Sequence, residues 1–184
     1  MNYYGAKELA ESFRTVRKNT LQVAEEIPED KYTFAAAEGT RTVEKMLTHI
    51  ALASRFPLQF HAVEKRTSFD GFDFPAFFAK IMEEEGRPRT KSQVIALLKE
   101  TGEGWAKFLD GVSDESLREQ IPMPGGATPA SKSRFEMLLS VKEHEMHHRG
   151  QLMLIERMIG IVPHLTRDFQ ARMAQAQQQQ TAKS

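Results

Sequence analysis

Apolar residues recur at steps of three and four along most of this 184-residue chain. That spacing is the period of an α-helix with one buried face. Alternation at a step of two, which is typical of a half-buried strand, is hard to find. Four long segments show the helical pattern, and each must bury its apolar stripe against the others. The sequence therefore predicts an all-α fold, an up-and-down four-helix bundle with short accessory helices.

Proline, glycine and capping residues mark where these segments begin and end. We expect the four helices over residues 6–26, 40–63, 90–111 and 133–159. Pro57 is expected to bend or interrupt the second helix, because proline lacks the amide hydrogen that continues a helix.

The connections combine turn residues with aromatic ones. Residues 68–78, SFDGFDFPAFF, contain five Phe, and we expect a connection whose aromatic side chains are mostly buried beside the bundle or line a pocket. Residues 113–119 are predicted to form a short helical turn, and the Pro and Gly content of residues 122–133 predicts a loop. A short helix is expected from His164.

Length and composition predict one domain over residues 1–170, followed by a Gln-rich tail over residues 171–184 that frays. Lys and Arg total 25, and so do Asp and Glu, so no long-range field attracts nucleic acid, and no nucleic-acid partner is expected. The absence of cysteine excludes disulfides and thiolate metal sites. Any metal must therefore be held by His, Asp or Glu.

Neither a membrane span nor a secretory signal is evident in the sequence. No stretch approaches the roughly 18 to 20 apolar residues that a membrane span needs. The first twenty residues contain charged residues from Lys7 onward and no apolar core of a secretory signal. We expect a cytoplasmic protein with no membrane partner.

Three of the six histidines lie within HEMHH, residues 144–148. On an α-helix, His148 lies about 40° around the axis and about 6 Å along it from His144, so the two imidazoles project side by side. Both lie on the stripe that faces the bundle, where neutral imidazoles need partners for their ring nitrogens. One divalent cation would satisfy both. His147 lies on the flank of this stripe and is kept as a substitute ligand.

A third ligand is expected from another helix. His49 lies on the apolar stripe of the second helix. Three histidines around one ion leave an open position, as in catalytic sites, whereas closed structural sites use four ligands. Glu145 is predicted to act as a base or to support a ligand, and Gln151 is predicted to hydrogen-bond the free nitrogen of a ligand or a bound water.

Two other metal motifs share these letters. HEMHH fits the H-E-x-x-H pattern of zinc proteases, with Glu145 as the base, but position 154, where a third His would stand in the extended pattern, is Leu. Glu145 to His148 also fits the E-x-x-H of di-iron bundles, which need a second copy on another helix. Residues 46–49 read MLTH and lack its Glu. A three-histidine site fits better than either.

The run EHEMHHRGQL, residues 143–152, late in a helix that ends in Gly and Pro, together with LTHIA, residues 47–51, resembles the DinB-like (YfiT-like) superfamily. The resemblance implies a four-helix bundle with one divalent metal, nickel, zinc, iron or manganese, bound by His49, His144 and His148. It also implies a homodimer.

Activities in that superfamily suggest three hypotheses. The first is a transferase or isomerase that uses a low-molecular-weight thiol such as bacillithiol, mycothiol or glutathione, in which an open metal position lowers the pKa of the thiol and delivers thiolate to an electrophile. The second is a hydrolase, in which water takes the open position. The third is a stress-linked protein that binds metal or ligand without turnover. The first two require a small-molecule substrate.

Overall fold

The computed structural model describes residues 4–181, which form a helical bundle with a small hairpin. Its helices are α1 (Ala6–Glu26), α2 (Val43–Leu52), α3 (Arg55–Pro57), α4 (Phe74–Gly86), α5 (Lys91–Asp110), α6 (Asp114–Arg118), α7 (Arg134–Met158) and α8 (His164–Thr181). The four bundle helices are α1, α2, α5 and α7. Both α1 and α2 pack against α5 and α7. The predicted four-helix bundle is confirmed, and its helices follow the ring order α1, α5, α2, α7.

Side-chain caps start three of the four bundle helices, α2, α5 and α7, close to the predicted positions. The side chain of Thr42 accepts a hydrogen bond from the backbone N–H of Lys45 at the start of α2. Thr90 and Ser133 form capping boxes at the starts of α5 and α7. Each cap satisfies backbone N–H groups that the first turn of a helix leaves without a partner.

The second predicted helix is interrupted before and after Pro57. The expected interruption is observed over residues 40–63, where α2 ends at Leu52, α3 spans three residues, and Leu58–Val63 form a π-helix. Proline removes a backbone donor and its ring clashes with the preceding turn. The wider π-turn changes the direction of the side chains that follow, among them Phe60 and His61, both of which are buried.

Residues 68–73 form the predicted connection, but the helix α4 begins at Phe74, where the connection was expected to continue to residue 78. The side chain of Asp73 accepts a hydrogen bond from the N–H of Ala76, and Pro75 lies in the first turn, where its missing N–H costs nothing. The Phe side chains here are half-buried or exposed rather than mostly buried, and Phe78 is 44% exposed. Phe69, Phe74 and Phe78 line cavities, which agrees with the alternative prediction. Six Phe side chains surround Phe56, which contacts the rings of Phe60, Phe69, Phe72, Phe74, Phe77 and Phe78.

A short hairpin replaces the ends of the predicted 122–133 loop. Strand β1 (Gln120–Pro122) pairs antiparallel with strand β2 (Ser131–Ser133). Ile121 is fully buried and anchors the hairpin to the bundle. β2 leads directly into the Ser133 cap of α7, so the hairpin sets where this long helix begins.

The last helix, α8, is longer than the short helix expected from His164. It runs to Thr181 and includes the described part of the Gln-rich tail, whose residues are exposed. His164 is buried, and Arg167 pairs with Glu26 of α1 at 2.6 Å. Residues 182–184 of the predicted tail lie outside the described residues. Within residues 4–181, every helix is too short or too polar to span a lipid bilayer.

The bundle core consists of two apolar clusters with a polar layer between them. One cluster includes Val23, Leu47, Leu98 and Leu152, and the other includes Leu9, Phe13, Trp105 and Leu138. Between them, the side chains of Arg17, Glu145 and Arg149 are buried. Arg149 donates through Nη1 to the carbonyl of Val16 at 3.2 Å. The polar layer lies at the level of α7 that includes the histidine motif.

Candidate metal centre

Three histidines from two helices converge at one point. Nε2 of His144 lies 3.0 Å from Nε2 of His49 on α2 and 3.2 Å from Nε2 of His148, one turn further along α7. One nitrogen from each ring lies within 4.8 Å of the others, and the three side chains are half-buried. The structure thus brings together the three residues that the sequence predicted as metal ligands.

Hydrogen bonds on the outer nitrogens set the tautomers of two of these rings. Nδ1 of His49 donates to Oε2 of Glu85 at 2.9 Å, and Nδ1 of His148 donates to Oε1 of Gln151 at 2.8 Å. Because these oxygens accept, each Nδ1 holds the proton and each Nε2 presents a lone pair to the centre. Nδ1 of His144 is buried without a hydrogen-bond partner in the described chain.

Converging lone pairs repel one another unless a cation lies between them, so the donor set fits a metal ion. Nitrogen ligands of a tetrahedral zinc ion lie about 2.0–2.1 Å from it and therefore about 3.3 Å apart. The distances from Nε2 of His144 to Nε2 of His49 and of His148, 3.0 and 3.2 Å, are close to this value. Burial and the neighbouring histidines lower the pKa of His144 to about 4. Burial also lowers the pKa of His148. At neutral pH these two rings are therefore neutral, so a proton does not relieve the repulsion between the lone pairs. Three neutral imidazoles suit a divalent transition metal.

Glu85 of α4 is a functional candidate that the sequence analysis missed. Its carboxylate accepts from Nδ1 of His49 and from Nε of Arg41, the latter at 2.6 Å. Although burial opposes ionisation, these hydrogen bonds hold the pKa of Glu85 below its ordinary value. The Asp73 cap and the helix-forming residues after Pro75 could have indicated α4. The sequence could not indicate which glutamate of α4 would meet His49.

Gln151 lies where the sequence placed it, three residues beyond His148 and bonded to its outer nitrogen. Its amide nitrogen lies 3.4 Å from Nε2 of His147. His147 is exposed and lies outside the converging group. The substitute ligand therefore flanks the cluster, and Gln151 links it to His148.

Glu145 is in a different environment from the one expected of a proton-transferring base. Its carboxylate is fully buried and accepts three hydrogen bonds from Arg17 of α1, two from Nε at 2.9 and 3.1 Å and one from Nη2 at 2.9 Å. Arg17 also donates to the carbonyl of Leu98 at 2.6 Å. Successive residues of a helix point about 100° apart, so Glu145 faces the polar layer while His144 faces α2. This buried ion pair corrects the expected role of Glu145 and leaves the H-E-x-x-H interpretation without its base.

An apolar cleft of about 430 Å³ opens beside the histidines. Its walls come from α2, α3, α4 and α7 and include His49, Leu52, Phe56, Pro57, Phe78, Ile81, Met82, Val141 and His144. Arg41 and Glu85 are the charged residues in its lining. The missed helix α4 therefore supplies one wall of the cavity next to the candidate metal centre.

Fold and site together define a class: a four-helix-bundle protein with a candidate three-histidine metal site beside an apolar cleft. Comparison with known proteins agrees with this class. Residues 1–181 match the DinB family, and the chain belongs to that family.

Several relatives share this architecture. The uncharacterized protein YjoA of Bacillus subtilis is 24% identical over 162 residues, which cover 84% of this chain and 91% of YjoA. The crystal structure of YjoA, a DinB-like protein, superposes with a TM-score of 0.60 over 83% of this chain and 92% of its own. YfiT of Bacillus subtilis is 18% identical, with a TM-score of 0.62 over 88% of this chain and 91% of YfiT. YfiT is described as a probable metal-dependent hydrolase with an unusual four-helix bundle topology.

One relative has been solved with nucleic acid. The colibactin self-resistance protein ClbS, in complex with double-stranded DNA, is 16% identical, with a TM-score of 0.61 over 83% of this chain and 95% of ClbS. At this identity the likeness shows the fold alone. The expectation of no nucleic-acid partner rests on the charge balance of this chain and stays a prediction, as do the homodimer and the cytoplasmic location.

Proposed function

We propose that this protein is a divalent-metal-dependent enzyme that activates a small nucleophile at His49, His144 and His148. The observation that supports this most directly is the convergence of three Nε2 atoms at the edge of an apolar cleft. Three imidazoles leave at least one position on the ion open to a ligand. The description of YfiT as a probable metal-dependent hydrolase supports metal chemistry on this fold.

Each residue of the site has a distinct task in this proposal. The three histidines hold the ion through Nε2, while Glu85 and Gln151 hold the outer nitrogens of His49 and His148 and keep both lone pairs on the ion. When bound, a divalent ion lowers the pKa of a nucleophile that coordinates to it. Nickel, zinc and iron suit imidazole ligands, whereas manganese prefers oxygen ligands and binds imidazole more weakly; metal supply decides among the four.

We further propose that the nucleophile is a low-molecular-weight thiol. Glu85 is engaged by Arg41 and His49, and Glu145 is engaged by Arg17, so neither carboxylate is poised to take a proton from water. A thiol loses its proton near neutral pH more readily than water does. In the reaction the S–H proton passes to solvent, sulfur forms a bond to the electrophilic carbon, and the leaving group departs with its electron pair. Because the chain lacks cysteine, the thiol must be a substrate.

Hydrolysis is a second candidate function, which the description of YfiT favours. In that reaction water replaces the thiol, and the cleft holds the apolar part of an ester or amide. His147, exposed beside His148, is the titratable side chain nearest in sequence that could relay a proton to solvent. The two candidates make opposite predictions about the need for added thiol.

The two functions are distinguished by assaying zinc- and nickel-loaded protein with two substrates. We expect conjugation of glutathione or bacillithiol to chlorodinitrobenzene, loss of conjugation in His144→Ala, and its retention in His147→Ala. Cleavage of a p-nitrophenyl ester without thiol, abolished by His144→Ala, would replace the thiol proposal by the hydrolase. Neither activity in protein that holds one metal ion would indicate a binding protein.

A further inference from the structure

A second cavity of about 320 Å³ adjoins the cleft at the histidines. Both cavities share Phe56, Pro57 and Ser140 as a wall. The walls of the second cavity are mainly apolar and include Phe69, Phe74, Met123, Pro124 and Met137. Together the two cavities follow α7 from His144 back to Glu136, eight residues or about 12 Å of helix. A long, narrow ligand could therefore extend from the histidines to the far cavity.

The far cavity has a buried hydrogen-bond donor without an acceptor. His61 is 6% exposed and lies between this cavity and a neighbouring cleft, both of which it lines. Nδ1 of His61 accepts a hydrogen bond from Nη1 of Arg134 at 2.5 Å, so the ring proton resides on Nε2. Among residues 4–181, Nε2 of His61 has no hydrogen-bond partner. An unsatisfied buried donor is costly unless a ligand or water accepts from it.

A cation lines the same cavity. Lys132 is half-buried, and its ammonium group forms neither a hydrogen bond nor an ion pair within residues 4–181. The carboxylate of Glu136, which also lines the cavity, accepts instead from the N–H and hydroxyl of Ser133 in the α7 cap, and Lys132 acts on it only through space. Lys132 therefore presents an ammonium group without a directly bonded counterion, in a cavity whose other walls are mainly apolar.

We propose that the two cavities form one substrate site that takes an elongated amphipathic carboxylate. The carboxylate accepts hydrogen bonds from Lys132 and His61, the apolar body lies along Phe56, and the opposite end reaches the three histidines. The placement of a reactive group at that opposite end rests on the proposed function. A carboxylate satisfies both donors at once through charge-assisted bonds. An amine would instead meet Lys132 as a like charge.

Titration calorimetry with simple probes tests this assignment without any assay of activity. Decanoate is titrated, below its micelle concentration, into metal-free and into zinc-loaded protein, with decylamine and butyrate as comparisons. We expect one decanoate per chain in both forms, and binding at least about tenfold weaker for decylamine, which loses the charge-assisted hydrogen bonds. Equal affinities for decanoate and decylamine would overturn the proposal.

Charge reversal at Lys132 tests whether the carboxylate of the ligand lies in the second cavity. Lys132→Glu should weaken decanoate binding by at least about tenfold, while Lys18→Glu, which reverses a charge in a cleft that shares no lining residue with the two cavities, should leave it unchanged. Lys132→Ala repeats the test with less disturbance, and thermal unfolding confirms that each variant folds. Unchanged binding in both Lys132 variants would overturn the proposal.

The two proposals can fail separately. If the protein binds decanoate through Lys132 but takes up no metal ion when one is added, the proposed function is refuted and the proposed carboxylate site stands. If only zinc-loaded protein binds decanoate, and Lys132→Glu has no effect on that binding, the carboxylate site is refuted and the proposed metal-dependent function stands.

Discussion

Oε2 of Glu85 accepts a hydrogen bond from Nδ1 of His49 at 2.9 Å, which joins α4 to a histidine of the bundle. α4 is an accessory helix, yet it determines the orientation of that ring. Lys45 of α2 also donates to the carbonyls of Glu85, Gly86 and Arg87 at the end of α4. The accessory helix is therefore fastened to α2 both at the candidate ligand and one turn before it.

Replacing Glu85 should weaken metal binding without removing a ligand. Glu85→Gln keeps the shape of the side chain but loses the negative charge that orients His49. We expect affinity for zinc to fall by about 10- to 100-fold, the usual effect of losing a partner behind a ligand. Competition with a chromophoric chelator measures this. Glu84→Gln is the control, because Glu84 pairs with Arg55 instead; equal losses in both variants would mean that the effect is general.

Metal content should depend on the converging histidines and not on their neighbour. Protein purified without a polyhistidine tag should contain about one transition-metal ion per chain, which His144→Ala/His148→Ala and His49→Ala should each reduce strongly because three ligands define the site. His147→Ala should retain the metal. Elemental analysis by mass spectrometry measures the metal content of each variant. If His147→Ala loses the metal and His49→Ala retains it, His147 rather than His49 is the third ligand.

Truncating Glu145 should destabilise the fold and spare the metal centre. Glu145→Ala leaves the buried guanidinium of Arg17 without its counterion, which typically costs about 3–5 kcal/mol. Urea unfolding should show this loss, and the double variant Arg17→Met/Glu145→Leu should recover much of it, because an apolar pair can replace a buried ion pair. Folded Glu145→Ala that no longer bound zinc would place Glu145 back in the metal site.

Stability should depend on pH through Glu156 of α7. Glu156 is fully buried, and neither carboxylate oxygen has a hydrogen-bond partner in the described chain. Burial, with a further contribution from Glu26, raises its pKa from 4.5 to about 7. The protonated form is favoured in the fold, so its stabilising contribution is complete below about pH 4.5 and is lost as the pH rises through about 7.

The neutral variant Glu156→Gln should therefore gain stability relative to the wild type as the pH rises from about 5 to about 7.5. Urea unfolding at both pH values measures the difference. Glu143→Gln, which changes an exposed glutamate on the same helix, should show no such trend. A constant difference between Glu156→Gln and the wild type would refute the raised pKa.

Two glycines of α5 should respond oppositely to alanine. A Cβ at Gly102 would lie 2.9 Å from Cγ of Arg17, whose side chain is held by Glu145 and cannot easily move. We expect Gly102→Ala to cost about 1–3 kcal/mol through overpacking. A Cβ at Gly104 would meet no atom within 4 Å, so Gly104→Ala should stabilise by about 0.5–1 kcal/mol. Thermal unfolding compares them, and stabilisation by both would show that Arg17 yields.

Local patterns in the sequence predicted the bundle helices because their causes are local. The caps at Thr42, Thr90 and Ser133 and the break around Pro57 depend on neighbouring residues alone. The helix α4 was overlooked although Asp73 and Pro75 mark its start, because the Phe and turn residues before it favoured a connection. The predicted connection therefore ends at Asp73 rather than at residue 78, because the Asp73 cap decides where the helix begins.

The sequence by itself determined that His144 and His148 lie side by side, since residues four apart share a helix face. It also indicated Gln151 as a partner of His148, for the same reason. Only the tertiary structure decided that His49 lies next to them, that Glu85 accepts a hydrogen bond from His49, and that Glu145 forms an ion pair with Arg17. Those contacts depend on which helix faces meet across the bundle, and that choice reflects the packing of the whole chain rather than the residues of any one segment.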